Sequence, residues 1–246
     1  MADLTFEQLK SLVAPYGNDS IIRNTVVAFN KYADICQINT PLRKAHFLAQ
    51  IAHESDSFKT TVEYGGASKR YAPWFGRGLI QVTWEANYID FYEWCVEQGF
   101  EDVPEFFTAK GRDKAAQFVW AFLGAVWYWQ TRNLNNLADE DNVRAITKSI
   151  NGGYNGLDDR MNKLNKAKKI FGVKALKVDS DSGSIVTKKK YTVSQVQNAL
   201  VSHGFSLVVD GKMGEKTIAA VKMFQKLNDL VPDGVLGPKT EAKLFG

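Results

Sequence analysis

Cysteine and histidine are scarce in this chain, and long apolar runs are missing. Two cysteines, Cys36 and Cys95, without a C-x-x-C spacing, exclude a disulfide scaffold, so two free thiols are expected. Three histidines, His46, His53 and His203, form no H-E-x-x-H, and His203 stands far from the other two; no metal and no other cofactor is expected. No G-x-S-x-G occurs, which removes the nucleophile elbow of a serine hydrolase. Both cysteines fall in apolar helical patterns, which argues against a cysteine nucleophile. The most apolar stretch, Ala115 to Trp129, is interrupted by Gln117 and shorter than the ~20 residues of a membrane span. It reads as a buried core helix, and no stable membrane insertion is expected. "MADLTFEQLKSLV" starts an amphipathic helix without a basic and then apolar leader, so no signal peptide is expected. Excess charge is small as well. The net +4 resolves into zero over 1–173, +3 over 174–190 and +1 over 191–246. No basic face remains to support a nucleic-acid partner.

What is there suits a mainly α protein with one sizeable core and a small second unit: 246 residues, 45% apolar and 24% charged. Residues 1–173 read as a helical domain. "DSIIRNTVVAFNKYADI" has a helical apolar period. "NTPLRKAHFLAQIAHES" carries a cap signal at Asn39/Thr40 and Pro41 at a favoured first helical position. "YIDFYEWCVEQGF", "DKAAQFVWAFLGAVWYWQTRNL" and "DNVRAITKSI" are each expected to be a helix, the last broken by "NGGYNG", and "DDRMNKLNKAKKIFG" closes the domain. Residues 174–190, polar and aperiodic with lysines at 188–190, read as a linker. Residues 191–246 contain a repeat, "DGKMGEKT" (210–217) and "DGVLGPKT" (233–240), each a turn followed by a helix start. Preceded by "TVSQVQNALVSHGF", with Val193, Val196 and Leu200 on one stripe, they predict a three-helix domain.

Two carboxylates stand out. Phe47, Ile51 and Glu54 share one face of the helix begun at Pro41, and Ala45, Leu48 and Ala52 line another. The helix is therefore expected to be buried, with Glu54 projecting from its C-terminal end. Burial and the negative helix pole both disfavour a carboxylate there, which suits a general acid. Glu63 follows the polar turn "SDSFKTT" and precedes Gly65-Gly66, where a more exposed carboxylate suits a base. Two carboxylates in opposed environments are the glycosidase pattern. The spacing alone also fits a capping Glu54 and a solvated Glu63. In "GRGLIQVTWEANY", Gly76 and Gly78 let the backbone pass close to something. "LIQVTW" alternates as a strand, with Leu79, Gln81 and Thr83 on one side, just before Asn87 and Tyr88. Hydrogen bonding to sugar hydroxyls or to a held water, and a core strand with satisfied polar groups, both fit it. "SINGGYNGLDDR" places Asn151, Asn155 and Arg160 around a turn.

In that order and wording, "AHES", the following glutamate, "GRGLIQVTWEANY", "AVWYWQTRNLN" and "ITKSINGGYNGLDDR" resemble family 19 glycoside hydrolases, which comprise chitinases and lysozyme-like endolysins. The resemblance covers roughly residues 40–172, and the 191–246 unit resembles the peptidoglycan-binding domain beside many cell-wall hydrolases. It implies a lysozyme-like, bilobal helical catalytic domain, with Glu54 as general acid, Glu63 as the base that activates water in an inverting reaction, and Thr83 helping to hold that water. It also implies a sugar cleft lined by His53, Tyr64, Gln81, Asn87, Tyr88, Asn151 and Arg160. The short loop from Glu63 to Gly76 implies an open cleft that admits a glycan carrying peptide stems. The pair of domains looks like a monomeric phage endolysin with peptidoglycan as its partner, held in the host cytoplasm until a membrane lesion releases it to the wall. A chitinase and a non-catalytic wall-binding protein are the competing expectations.

Overall fold

The computed structural model describes residues 3–173 and 191–246, apart from Lys212, Val231, Asp233 and Val235. The chain divides into two compact units, one up to residue 175 and one from residue 176. The expected linker at 174–190 lies outside the described residues.

The first unit holds, among the described residues, eight α-helices: α1 (Phe6–Val13), α2 (Asp19–Tyr32), α3 (Pro41–Glu54), α4 (Glu85–Glu97), α5 (Trp120–Thr131), α6 (Leu134–Asp139), α7 (Val143–Asn151) and α8 (Leu157–Ile170). Among the described residues, extended pairing is confined to isolated bridges, Val62 with Arg77 and Arg77 with Val82. Helix ends follow local chemistry. The Thr40 side chain accepts from Arg43 N and Pro41 opens α3. Gly152, at φ +72°, ends α7.

Two expected elements are corrected. "DKAAQFVWAFLGAVWYWQTRNL" is not one helix. A 3-10 turn (Arg112–Ala116) is followed by extended backbone at Gln117, and α5 begins at Trp120. The break admits a neighbour: Leu79 N donates to Ala121 O (3.0 Å), and a Cβ on Gly78 would lie 3.1 and 3.3 Å from the Ala121 and Ala115 oxygens. "LIQVTW" is not a strand either. Residues 78–81 turn inside the Arg77–Val82 bridge, and Gln81 sits at φ +58°, so side-chain alternation is lost.

Helix α3 is the central post. Every residue from Lys44 to Ala52 is buried. Phe47 meets Phe122 and Trp129 of α5 edge-on, with centroids 5.6 and 5.4 Å apart, and α8 packs along another side. Burying a ring of this size stabilises the fold by about 1.5–3 kcal/mol. A polar trio, buried at His46 and Lys168 and half-buried at Asp141, adds a second tie: His46 Nε2 lies 2.7 Å from Asp141 Oδ1, and Lys168 of α8 donates to Asp141 Oδ2. Together these contacts fix α3, the helix that ends in Glu54, against α5 and α8.

The second unit consists of α9 (Val193–Ser202), α10 (Glu215–Leu227) and α11 (Pro238–Phe245) around its own core of Val196, Leu200, Val221, Phe224 and Leu244. The repeat proves to be a clamp used twice. In the first copy, Gln197 accepts from Gly211 N (2.9 Å) and donates to Thr217 Oγ1 (3.0 Å). In the second, Gln225 accepts from Gly234 N (2.8 Å) and donates to Thr240 Oγ1 (3.1 Å). Each buried glutamine joins a turn to the first turn of the next helix, and its amide is satisfied at both ends.

Candidate active site

Glu54 ends α3 with its side chain 21% exposed. Its Oε1 accepts from Arg160 Nη2, and Arg160 Nη1 donates to Gln50 Oε1, one turn back on the same helix. Arg160, on the first turn of α8, is only 1% exposed. Its planar fork holds carboxylate and amide together. Glu54 Oε2 has no hydrogen-bond partner among the described residues, so one oxygen is fixed and the other is open. The guanidinium that holds Glu54 is invisible in the local sequence. Arg160 was expected to line the sugar cleft. That is corrected: it is buried beneath Glu54 and positions it.

His53 lies beside this pair. Its Nδ1 is 2.6 Å from Asp159 Oδ2, and Lys163 holds the same carboxylate. Burial pushes the Asp159 carboxyl up, but Lys163 and His53 outweigh it and leave it below the usual carboxylate range. The His53 ring rests on Gly156, at φ +71°, where a Cβ would come within 2.2 Å of Cε1. The "NGGYNG" turn is therefore a seat for His53. Asn151 Nδ2 donates to Asn155 O (2.9 Å) and braces the same turn. On the other flank, the Tyr128 hydroxyl donates to Ile150 O (3.2 Å), and the Arg132 guanidinium lies 3.5 Å over the Tyr128 ring. Burial pushes the Tyr128 phenol up.

Glu63 belongs to a different frame, joined to α3 by a turn in which Asp56, Ser57 and Phe58 all take positive φ. Its Oε1 accepts from the Tyr71 hydroxyl (2.6 Å) and its Oε2 from Gly76 N (2.9 Å). That bond raises the Tyr71 phenol above its ordinary value. Glu63 N in turn donates to Gly76 O (2.9 Å). The antiparallel bridges set the register. Since Val62 pairs with Arg77 and Arg77 with Val82, the next rung places Glu63 and Thr83 on either side of Gly76. Gly76 offers no side chain between them, and a Cβ there would lie 2.7 Å from Gln81 Oε1. Gln81 Nε2 donates to Gly78 O (2.8 Å), and Thr83 Oγ1 donates to Gln81 O (2.8 Å). With its proton engaged, the Thr83 oxygen keeps lone pairs for accepting from a water. Asn87 Nδ2 donates to Thr83 O (2.7 Å). Asn87 also borders a groove of about 530 Å³ between α4 and α5, with Trp94, Trp127 and Arg132.

Tyr88 is corrected from cleft residue to core. It is fully buried, donates to Phe75 O (2.6 Å) and accepts from Arg77 Nη1 (2.9 Å), and burial pushes its phenol up to about 12. Tyr64 is 64% exposed, and its hydroxyl donates to Asp56 (3.3 Å). Sequence reasoning passed over Trp84, 50% exposed and tilted against Tyr71 at 4.9 Å, and Arg77, the buried hub that reaches Asp113 (2.7 Å) and Tyr88. The signal that could have found Arg77 was its place between Gly76 and Gly78. Cys36 and Cys95 are free and buried; Cys36 lies in the turn after α2 rather than in a helix. Burial pushes the Cys36 thiol up to about 11 and the Cys95 thiol up as well, which makes both poor nucleophiles.

Comparison with known proteins matches residues 190–244 to the family described as "Putative peptidoglycan binding domain". A glycosyl hydrolase family 19 domain-containing protein of Haemophilus influenzae is 39% identical over 85 residues, 35% of this chain and 36% of that protein. A probable N-acetylmuramoyl-L-alanine amidase of Bacillus licheniformis is 39% identical over 71 residues, 26% of this chain and 20% of that protein. The chain thus spans about a third or less of these two relatives. Among solved structures, chitinase C of Streptomyces griseus superposes with a TM-score of 0.52 at 19% identity, covering 70% of this chain and 93% of that one. A bacterial family 19 chitinase gives 0.51 at 20% identity, covering 71% and 97%. The chain thus joins a helical unit with the fold of family 19 chitinases to a C-terminal domain that matches the putative peptidoglycan binding family.

Proposed function

We propose that the chain is a peptidoglycan glycosidase of endolysin type, which hydrolyses the β-1,4-linked GlcNAc/MurNAc backbone with inversion. The observation that carries the reading is the contrast between the two carboxylates. Glu54 is fixed through one oxygen by Arg160 and open at the other. Glu63 accepts from Tyr71 and Gly76, across Gly76 from Thr83. In the proposed reaction, Glu54 enters protonated and its open Oε2 gives a proton to the leaving glycosidic oxygen. Thr83 holds a water through its oxygen lone pairs, and Glu63 takes that water's proton as the water attacks the anomeric carbon from the opposite face. The exposed Tyr64 and Trp84 offer ring faces to the sugars. The C-terminal domain keeps the enzyme on an insoluble substrate, which favours the wall glycan over soluble chitin oligomers. Release from the cytoplasm through a membrane lesion, followed by host lysis, completes the proposal.

The test is turnover of purified peptidoglycan and of chitin oligomers by the wild type, Glu54→Gln and Glu63→Gln. Each substitution is expected to lower turnover by roughly 10²–10⁴-fold while sacculus binding persists. Thr83→Ala is expected to weaken turnover without abolishing it. Mass spectrometry of the muropeptide reducing ends identifies the bond cut, and NMR of fresh product reports the anomer. Faster turnover of chitin oligomers than of peptidoglycan would make the chain a chitinase. Undiminished turnover by folded Glu54→Gln would remove Glu54 from the mechanism.

A further inference from the structure

The two copies of the clamp in the C-terminal domain are alike in their buried bonds and unlike in one respect. From Gln197 to Gly211 the chain takes 14 residues, and from Gln225 to Gly234 it takes 9. The first copy thus carries five extra residues: three lengthen α9 beyond Gln197, and two lengthen the connection from the end of α9 at Ser202 to Asp210. The clamp does not need them, since the second copy closes without them. The longer connection leaves apolar surface in water: Val208 is 81% exposed and Val209 is exposed as well. A groove of about 590 Å³ lies there, bounded by Ser206, Leu207, Val208 and Asp210 on the loop side and by Lys216 on the first turn of α10.

From these features we propose that this groove is the wall-binding subsite, and that its ligand is the peptide stem of peptidoglycan rather than the glycan. The proposal rests on the wall-directed reading above and deepens it. The groove's chemistry selects the ligand. Leu207 and Val208 offer aliphatic surface the size of alanine methyl groups, with no aromatic ring among the lining residues on which a sugar would stack. Lys216 supplies a cation, and Gly214 leaves the α10 N-terminus without a side-chain cap, so its backbone N–H groups add a partial positive charge beside it. Asp210, whose carboxylate already accepts from Gln197 Nε2 (2.8 Å), faces the same groove and suits ligand N–H groups. A short peptide rich in alanine, with carboxylates and amide N–H groups, meets all three demands. The repeat supplies its own control. Lys239 occupies in the second copy the position of Lys216 in the first, and it is not among the residues that line this groove.

The experiment uses the full chain carrying Glu54→Gln, so that the wall is not consumed, and measures binding to purified sacculi by sedimentation. Val208→Asp and Lys216→Ala alter exposed side chains and leave the core intact. Each is expected to weaken binding about ten-fold, the effect of one charge-assisted contact. Lys239→Ala, which removes the same charge, is expected to bind as the parent does. Sacculi stripped of stems by an amidase are expected to lose binding. Equal weakening by Lys216→Ala and Lys239→Ala would reduce the effect to general charge attraction and overturn the subsite. So would unchanged binding by Val208→Asp, and full retention on stem-free glycan would overturn the choice of ligand. If the parent itself stays in the supernatant, the wall-binding reading fails and the groove fails with it.

Discussion

Arg160 shows how one buried side chain can set the place of another. Its two terminal nitrogens hold Glu54 and Gln50 at once, in the plane of one guanidinium. A lysine keeps the charge and loses the fork. Arg160→Lys is therefore expected to fold and to lose about 10²-fold in kcat, the scale set by a misplaced catalytic group, with KM little changed. Steady-state kinetics check it; a change confined to KM would assign Arg160 to the sugar instead. Gly156 is a second single-residue constraint, with φ +71° and the His53 ring where a Cβ would sit. Gly156→Ala is expected to cost about 1–3 kcal/mol, the range for a residue held in a sparsely populated backbone region. Gly153→Ala, which meets nothing within 4 Å, is the control in the same thermal melt. Equal midpoints for the two variants would mean that the turn is not the seat of His53.

Among the elements, α3 carries Glu54, and the trio of His46, Asp141 and Lys168 ties it to the α6–α7 connection and to α8. Burial lowers the affinity of His46 for a proton, against the pull of Asp141 and Asp139, while Lys168 lowers it further. Burial also pushes the Asp141 carboxyl up, but His46 and Lys168 outweigh it and leave it below its ordinary value. The signs set two pH windows. The unfolded chain takes up a proton on His46 near pH 6.5, and the fold resists it, so stability is full above about 6.5 and falls as the pH drops below it. The Asp141 contribution persists to lower pH and is lost only as the pH falls through its depressed folded value. Thermal midpoints by circular dichroism are expected to fall between pH 7.5 and 5.5, with a slope of at most about 1.4 kcal/mol per pH unit from this one histidine. His46→Gln keeps a donor for Asp141 and is expected to flatten that fall. An unchanged pH dependence would mean that other groups set it.

At the scale of the whole molecule, the chain carries two cores of unequal size. The tail packs around Leu200, Val221 and Phe224, and the larger unit packs around α3. A chain of residues 1–173 is expected to fold and to cleave soluble muropeptide fragments at the rate of the full chain. On intact sacculi it is expected to be slower by roughly ten-fold or more, because tethering raises the effective concentration of enzyme at an insoluble surface. The comparison belongs at low and high salt, since screening removes any attraction from the lysines at 188–190. Equal rates on sacculi with and without the tail would leave the tail without a part in catalysis on the wall.

By itself, the sequence determined the features that depend on neighbours along the chain. The cap at Thr40, the start of α3 at Pro41, the all-round apolar face that buries α3, and the glycine stop of α7 follow from local backbone and side-chain chemistry. The duplicated D-G-x-x-G-x-K-T turn was legible for the same reason, and so was Glu54 at a helix end. Contacts between residues distant in the chain were decided only in three dimensions. Arg160 reaches Glu54 across 106 residues, which turned an expected sugar ligand into a buried partner of Glu54. Tyr88 left the expected cleft for the core because Arg77 and Phe75 O supply its hydroxyl with partners there. "LIQVTW" alternates in sequence, yet it turns, because Leu79 is drawn onto the α5 backbone and Arg77 closes the bridge with Val82. The clamp glutamines, Gln197 and Gln225, take on their role only where the fold brings the glycine of one turn and the threonine of the next helix to each of them. Local propensity reads a few residues at a time, whereas burial and pairing are settled by which distant groups the fold brings into hydrogen-bond reach.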